Sequence, residues 1–509
     1  MGLELAEFHN ADSADKAAVI MAESGDRLTF SQLGSASSQA AHLLQALGLE
    51  PGDRVAVCLT NSLEFFPIVC GIIRAGLFAV PISTKLTAQE IEYIVRDSGA
   101  KVVITSPLIG SASGALPGRL SDLVLFSAAC EAPGFRDWVL EREAQPNTPL
   151  APLKEGGEVL YSSGTTGRPK GIKRDGALPP GGLSVRTAQV AMDLNMRFDA
   201  IYLSPAPLYH SAPFGWSLAL LRLGATVVVM DRFDAEAALA AIETYRVTHS
   251  QWVPTHFVRL LKLDSARRSA FDLSSHALAL HAAAPCPVSV KRAMIDWWGP
   301  ILVEFYGSTE QSILTMINSA DWLFHPGSVG RCMRGTLHIC DEAGEDLPPQ
   351  TPGQVYCDGG VLFEYGNNPE KNAQSRHANG WTTVGDIGYL DQEGYLFLTD
   401  RKDFMIISGG VNIYPQELED LLVGHPKVAD AAVIGTPDED LGEKVTALVQ
   451  LIDPADGTPE FARELRDWMR QSISAVKTPK LIVFRAELPR LPTGKMVKHL
   501  LRAEYAEAG

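Results

Sequence analysis

Cysteine is scarce in this chain: seven residues, at 58, 70, 130, 286, 332, 340 and 357, odd in number and without a CxxC pair. That reads as reduced thiols in the cytoplasm, most of them packed as small core residues. Long apolar runs are missing too. The most apolar stretch, Leu218 to Met230, is broken by Arg222 and is too short for a membrane span. The first residues, MGLELAEFHNADSADK, hold no basic region ahead of an apolar core, so no export leader is expected, and Ala6 breaks the myristoylation pattern. Positive charge is in deficit, with 44 basic against 60 acidic residues and a net charge of −16. This argues against a general nucleic-acid surface while leaving room for a local basic pocket.

What is present is a chain of 509 residues with 46% hydrophobic content, ample for large cores in roughly two to four domains. Residues 161–173, YSSGTTGRPKGIK, are dense in glycine and hydroxyls. Gly164, Gly167 and Gly171 let main-chain N–H groups approach an anion, Ser162, Ser163, Thr165 and Thr166 add donors, and Lys170 adds charge. Val159 and Leu160 suggest that this phosphate loop leaves a strand. Lys170 follows Arg168-Pro169 and precedes Gly171, so the loop is not a Walker A sequence, which needs Gly-Lys-Ser/Thr at a helix start.

Elsewhere the pattern alternates. Ser31 is expected to cap a helix carrying Leu33, Ala36, Ala40, Leu43, Leu44 and Leu47, with Gly48 to end it. A strand follows at Arg54–Leu59, then a helix at Leu63–Ala75 despite Pro67. Thr87 and Glu90 form a capping box for a helix that stops near Gly99, ahead of an apolar run at Val102–Thr105. The rhythm continues through Val227–Met230, a helix at Ala235–Tyr245 and a segment at Ser250–Leu263. Strands separated by helices at this spacing imply parallel sheet. From about Gly335 to Leu398 short strands take over, with Leu337–Cys340, Gln354–Cys357 and Tyr395–Thr399 as candidates. After the charged junction Asp400–Asp403, the last hundred or so residues carry their own signals: helices at Pro415–Leu422 and Pro459–Ile473, strands at Ala431–Gly435 and Val445–Leu451.

The run Ser163–Gly171 resembles the phosphate loop of the adenylate-forming superfamily, which includes acyl-CoA synthetases, luciferases and peptide-synthetase adenylation domains. Five further segments match that superfamily in order. The resemblance implies a large α/β N-terminal domain over 1–400, with stacked mixed and parallel sheets, flanking helices and a β-rich subdomain. It also implies a small mobile α+β C-terminal domain over 401–509, hinged near Asp403. It implies that Ser163, Gly164, Thr165, Thr166, Gly167 and Lys170 hold phosphate, that His210 lies beside the acyl group, and that Ala283 and Ala284 let backbone approach adenine. Tyr306, in Phe305-Tyr-Gly-Ser-Thr-Glu310, would stack on adenine, with Gly307 beside it. Thr309 would face the phosphate, and Glu310, together with Thr166, would hold magnesium. Asp386 would accept from the ribose hydroxyls, although Thr383-Val384 replaces the more usual Arg-Thr ahead of Gly385-Asp386. Arg401 would contact ribose or phosphate. Lys495, in Pro492-Thr-Gly-Lys495, would neutralise carboxylate and α-phosphate as they meet. The run from 408, SGGVNIY, looks most like that of acyl-CoA synthetases and would set Ser408, Gly409 and Gly410 along a pantetheine channel.

The resemblance implies an AMP-forming acid–thiol ligase that uses ATP, Mg²⁺ and coenzyme A on a small-molecule carboxylic acid; no nucleic-acid partner and no membrane span are expected. The acid pocket, expected from His210–Trp216, Gln251–His256 and Ala282–Tyr306, is apolar and aromatic and offers no obvious acidic partner for an α-amino group, which favours a fatty or bulky hydrophobic acid. Phe214, four residues past His210, falls where some long-chain synthetases place an aromatic gate. Aryl-acid ligation of the coumarate or benzoate kind, loading of a carrier protein, phosphoryl transfer giving ADP, and a nucleotide-binding protein without activity stay open as alternatives. The oligomeric state is open also, a homodimer included.

Overall fold

The structure is a computed structural model that describes residues 14–106, 110–151, 154–162, 170–173, 179–365, 369–401, 404–409, 411–438, 440–490 and 496–506. A six-stranded, wholly parallel sheet has the order Arg136–Asp137, Val124–Ser127, Val102–Thr105, Arg54–Cys58, Phe78–Pro81, Gly157–Glu158. Beside it a nine-stranded sheet runs Arg331–Cys332, Leu314–Asn318, Leu302–Gly307, Leu278–His281, His249–Trp252, Ile201–Ser204, Thr226–Val229, Ala17–Met21, Arg27–Thr29. It is parallel except toward its two edges. Strands such as Val102–Thr105 and Thr226–Val229 are buried at every residue, which is why they read as continuous apolar runs rather than alternating ones.

One apolar core joins the two sheets, taking Val55 and Ile104 from one, Val227 and Leu280 from the other, and Leu33, Ile72, Phe214 and Ala188 from four helices between them. Two of these helices, Phe30–Ala46 and Phe65–Arg74, cross closely at Gly71, where a methyl would stand 2.5 Å from the Ala40 Cβ. The first helix begins earlier than Ser31 suggests. Thr29 is its cap, accepting from the Gln32 amide while the Gln32 side chain returns to the Thr29 amide, so the reciprocal box fixes the start. Thr87 and Gly99 bound the helix Ala88–Ser98 as expected. Pro67 sits in the first turn of its helix, where its missing N–H removes no intrahelical bond. The segment 250–263 divides into the strand His249–Trp252 and a helix that opens on Pro254.

The β-rich region is a four-stranded antiparallel sheet, Thr336–Cys340, Gly353–Asp358, Asp386–Leu390 and Leu396–Arg401. The strands flanking the phosphate loop pair antiparallel, Lys170 opposite Ser162, and Lys170–Lys173 pairs in turn with Glu364–Tyr365. The C-terminal region forms its own sheet, in the order Val411–Ile413, Ile406–Ser408, Gly442–Leu451, Val428–Asp438. Leu481–Arg485, a strand that the sequence pattern did not reveal, joins parallel to Gly442–Leu451. A separate apolar core there gathers Ile406, Leu418, Val433, Ala447, Leu465 and Met469.

Candidate active site

Four neighbouring strands of the nine-stranded sheet end at one place. Ile201–Ser204 leads toward Ala206–His210, His249–Trp252 toward Val253–Pro254, Leu278–His281 toward Ala282–Pro285, and Leu302–Gly307 toward Ser308–Gln311. All these following segments line a cavity of about 850 Å³, placed as expected for a ligand site at the carboxyl ends of parallel strands. Ala283, at φ +79°, and Gln311, at φ +61°, turn the backbone sharply at its edge; only small or locally hydrogen-bonded residues tolerate that region readily.

The cavity brings together eight of the residues singled out from the sequence: His210, Ala283, Ala284, Tyr306, Gly307, Thr309, Glu310 and Asp386. Tyr306 donates from its hydroxyl to Asp386 Oδ2, so the aromatic and the carboxylate from two different sheets form one unit. Asp386 lies directly across from Arg401 in its antiparallel pair. Glu310 is buried, and Oε1 accepts a 2.8 Å hydrogen bond from the Tyr365 hydroxyl. His210 precedes the helix Ser211–Arg222, its ring packed edge-on to Tyr209. Burial pulls its pKa down to about 4, because desolvation disfavours the charged imidazolium. Its Nε2 is shut from water without a hydrogen-bond partner among the described residues, leaving a neutral ring with an open polar edge.

Beneath the Ala282–Pro285 turn, Lys291 Nζ lies 2.6 Å from Glu304 Oε2 and His281 lies 3.7 Å from the same oxygen, all three buried. Burial, and then the Lys291 charge, hold His281 far below its ordinary pKa. The group stiffens the floor of the cavity.

Not every expected residue gathers here. Ser408 ends a strand of the C-terminal sheet and Gly409 is in the turn after it, donating to the Leu441 carbonyl at 2.9 Å, and neither lines the cavity. Ser163, Gly164, Thr165, Thr166, Gly167, Asp403, Gly410 and Lys495 lie outside the described residues, and of Lys170 and Arg401 only the strand positions are described. Phe214 does not face the cavity: it is fully buried, edge-on to Phe65 at 6.3 Å between ring centroids. Trp216 lines the wall instead, tilted against Phe305 at 6.0 Å. His210 is the cap rather than part of the helix, so helical phase starts at Ser211 and carries Phe214 to the core side.

Several contributors escape the sequence reading. Tyr365 is one. Arg186 lines the cavity and donates to Gln311 Oε1 at 3.3 Å. From the C-terminal region, Arg490 and Lys498 also line it; Arg490 grips Asp430 with two 2.6 Å hydrogen bonds and Lys498 pairs with Glu419 at 2.8 Å. Lys262 of the large region donates to the Ala429 carbonyl at 3.3 Å, across the two parts. Only Arg186 left a trace in sequence, as the lone charge in the helical series Leu183, Arg186, Thr187, Val190.

A cavity at strand ends, faced by a second domain and joining an aromatic–aspartate unit to a buried glutamate, fits an enzyme that handles a nucleotide and an acid together. The sequence pattern of AMP-binding enzymes matches residues 6–364, and that of the AMP-binding enzyme C-terminal domain matches residues 417–495. The chain belongs to this family, in the acyl-CoA synthetase branch of the adenylate-forming superfamily. It is 33% identical over 506 residues to the long-chain-fatty-acid–CoA ligase FadD13 of Mycobacterium tuberculosis, covering 94% of this chain and 93% of that one. It is 34% identical over 488 residues to a feruloyl-CoA synthase of Amycolatopsis, covering 94% of each. Among solved structures, the anthranilate CoA ligase AuaEII in complex with anthranoyl-AMP matches with a TM-score of 0.86 and 27% identity, over 99% of this chain and 97% of that one. Family membership implies ATP, coenzyme A and a carboxylic acid as substrates. Among the described residues no helix is long and apolar enough to cross a membrane.

Proposed function

We propose that the protein is an AMP-forming acyl-CoA synthetase that activates a fatty or bulky hydrophobic acid as its acyl-adenylate and passes the acyl group to coenzyme A. The observation that carries this reading is the convergence of Tyr306–Asp386, Glu310–Tyr365 and neutral His210 on one cavity. A carboxylate is a poor electrophile, so it must be activated. Its oxygen forms a bond to the α-phosphorus of ATP, the bond from that phosphorus to the bridging oxygen breaks, and pyrophosphate leaves. In the second half-reaction the thiol sulfur attacks the acyl carbon, AMP departs with the electron pair of the broken carbon–oxygen bond, and the thiol proton passes to solvent.

In this reading Tyr306 stacks on adenine, Asp386 and Arg401 hold ribose, and Ser163, Gly164, Thr165, Thr166, Gly167, Lys170 and Thr309 hold phosphate. Lys495 neutralises the meeting anions. His210, kept uncharged, sits beside the acyl group without adding a second cation. Among the described residues no cluster of three or more metal-ligating side chains exists. Glu310 nevertheless fits Mg²⁺, which takes one or two carboxylates and completes its shell from phosphate oxygens and water. When bound, the ion neutralises the leaving pyrophosphate, and Thr166 would be the other protein ligand.

We set the domain boundary after residue 400, with Asp403 as the hinge about which Lys495 and the Ser408–Gly410 loop would exchange places at the site. The seven cysteines are free thiols, which supports a reducing, cytoplasmic location. Leu183, Val190, Pro213, Trp216 and Phe305 on the wall support an apolar acid, and the feruloyl-CoA synthase likeness favours aryl acids as the second class. AMP and pyrophosphate release from MgATP, with fatty and aryl acids each with and without CoA, tests this. AMP dependent on both acid and CoA is expected; ADP as product would overturn the reading.

A further inference from the structure

The helix Gly182–Asp193 puts Leu183, Arg186, Thr187 and Val190 on the cavity wall, spaced by three, four and seven residues along one face. Three are apolar or small, and the fourth is a guanidinium. Arg186 Nη1 donates to Gln311 Oε1 at 3.3 Å. That glutamine is set by its left-handed backbone and by a 3.0 Å bond from its amide to the Ser308 carbonyl. With its oxygen engaged by Arg186, what it has left is the amide nitrogen, which is shut from water and has no hydrogen-bond partner among the described residues.

The chemistry of the pair is one-sided. A guanidinium has only donors, and a glutamine whose oxygen is engaged offers only its two N–H groups. A buried donor without an acceptor is costly, and a plain hydrocarbon chain against this wall supplies none. An oxygen on the substrate does. The carboxyl that reacts is taken up by the α-phosphate, which in this reading leaves the pair for a second oxygen of the same acid.

We propose that Arg186 and Gln311 form a donor pair that recognises a second oxygen, of a hydroxyl, keto or carboxylate group, on the acid that this enzyme activates. The inference rests on the ligase reading and narrows it: the preferred acid is an oxygenated one, and the apolar remainder of the wall holds its carbon frame.

The test compares acid-dependent AMP release, as kcat/KM, within matched sets: decanoate, ω-hydroxydecanoate and decanedioate, and cinnamate with para-hydroxycinnamate. At least one oxygenated acid is expected to exceed its plain partner about tenfold or more, since a site built to hydrogen-bond a group discriminates strongly against the analogue lacking it. Preference for ω-hydroxydecanoate identifies a neutral oxygen, and preference for decanedioate a second carboxylate. Arg186→Met is expected to bring the ratio of oxygenated to plain acid near one, and Gln311→Leu to lower it about threefold or more. Because the ratio is internal to each variant, a poorly folded fraction cancels. Equal use of plain and oxygenated acids by the wild type overturns the inference and leaves the ligase reading standing. A ratio unmoved by Arg186→Met, with every acid slowed alike, overturns it by assigning Arg186 to the reacting carboxyl or the nucleotide. No AMP from any acid removes the ligase reading and this inference together.

Discussion

The Tyr365 hydroxyl is bonded to Glu310 Oε1 at 2.8 Å, tying the strand beside the phosphate loop to the segment that follows Leu302–Gly307. A hydrogen bond to a buried carboxylate is worth about 1.5–3 kcal/mol. Tyr365→Phe is therefore expected to lower kcat/KM for MgATP by about tenfold to a hundredfold, with a rise in the Mg²⁺ needed for half-maximal rate. Titrating pyrophosphate release against Mg²⁺ checks this; an unchanged Mg²⁺ dependence would count against the metal role proposed for Glu310 or against Tyr365 as its partner.

Tyr306 and Asp386 should behave as one unit. Tyr306→Phe, Asp386→Asn and the double variant form a cycle in which the hydrogen bond between them predicts a coupling of about 1–3 kcal/mol in kcat/KM for ATP. Additive losses would mean that each residue meets the nucleotide by itself.

Trp216 and Phe214 divide two roles that the family resemblance implies for one aromatic. Phe214→Ala empties a fully buried site against Phe65 and is expected to cost about 3–5 kcal/mol of stability without altering which acids are preferred. Trp216→Ala opens the cavity wall and is expected to shift preference toward bulkier acids. Thermal melting and an acid panel separate the two; a size shift from Phe214→Ala alone would reverse the assignment.

Mild acid should destabilise the fold. Burial lowers the pKa of His210 to about 4, of His256 and His276 to about 3, and of His281 well below 6.5. All four stay neutral in the fold while the unfolded chain takes up protons near 6.5, so stability is complete above that pH and falls as pH drops below it. Each such proton contributes about 1.4 kcal/mol per pH unit. Glu64 and Glu304, pushed up by burial, bind protons on the native side and offset part of this. Urea melts at pH 7, 6 and about 5 should show a steadily falling midpoint; a flat profile would mean that the histidines ionise in place.

Much of this architecture was legible in sequence where the deciding signal is local. Thr87 and Glu90 announce their helix, and Val102–Thr105 its strand. The Thr29 cap is local too, through Gln32 three residues on, although Ser31 offers a competing cap. What could not be read depends on distance along the chain. Tyr365 is 55 residues from Glu310, and Arg186 is 125 from Gln311, so neither pairing leaves a periodicity or a spacing. Phe214 shows the same limit within one helix: the composition supplied an aromatic, and only the phase set by the cap decided which way it pointed.

The cavity wall is assembled from two domains, with Arg490 and Lys498 on one side and Tyr306 and Trp216 on the other. A molecule that touches both sides is held more tightly when they are together than when they are apart, and by thermodynamic reciprocity it must favour their closure to the same degree. Affinity and interdomain geometry in this protein are therefore two readings of a single free energy. A substitution of Lys262, which joins the two domains through the Ala429 carbonyl, would register as a change in substrate binding.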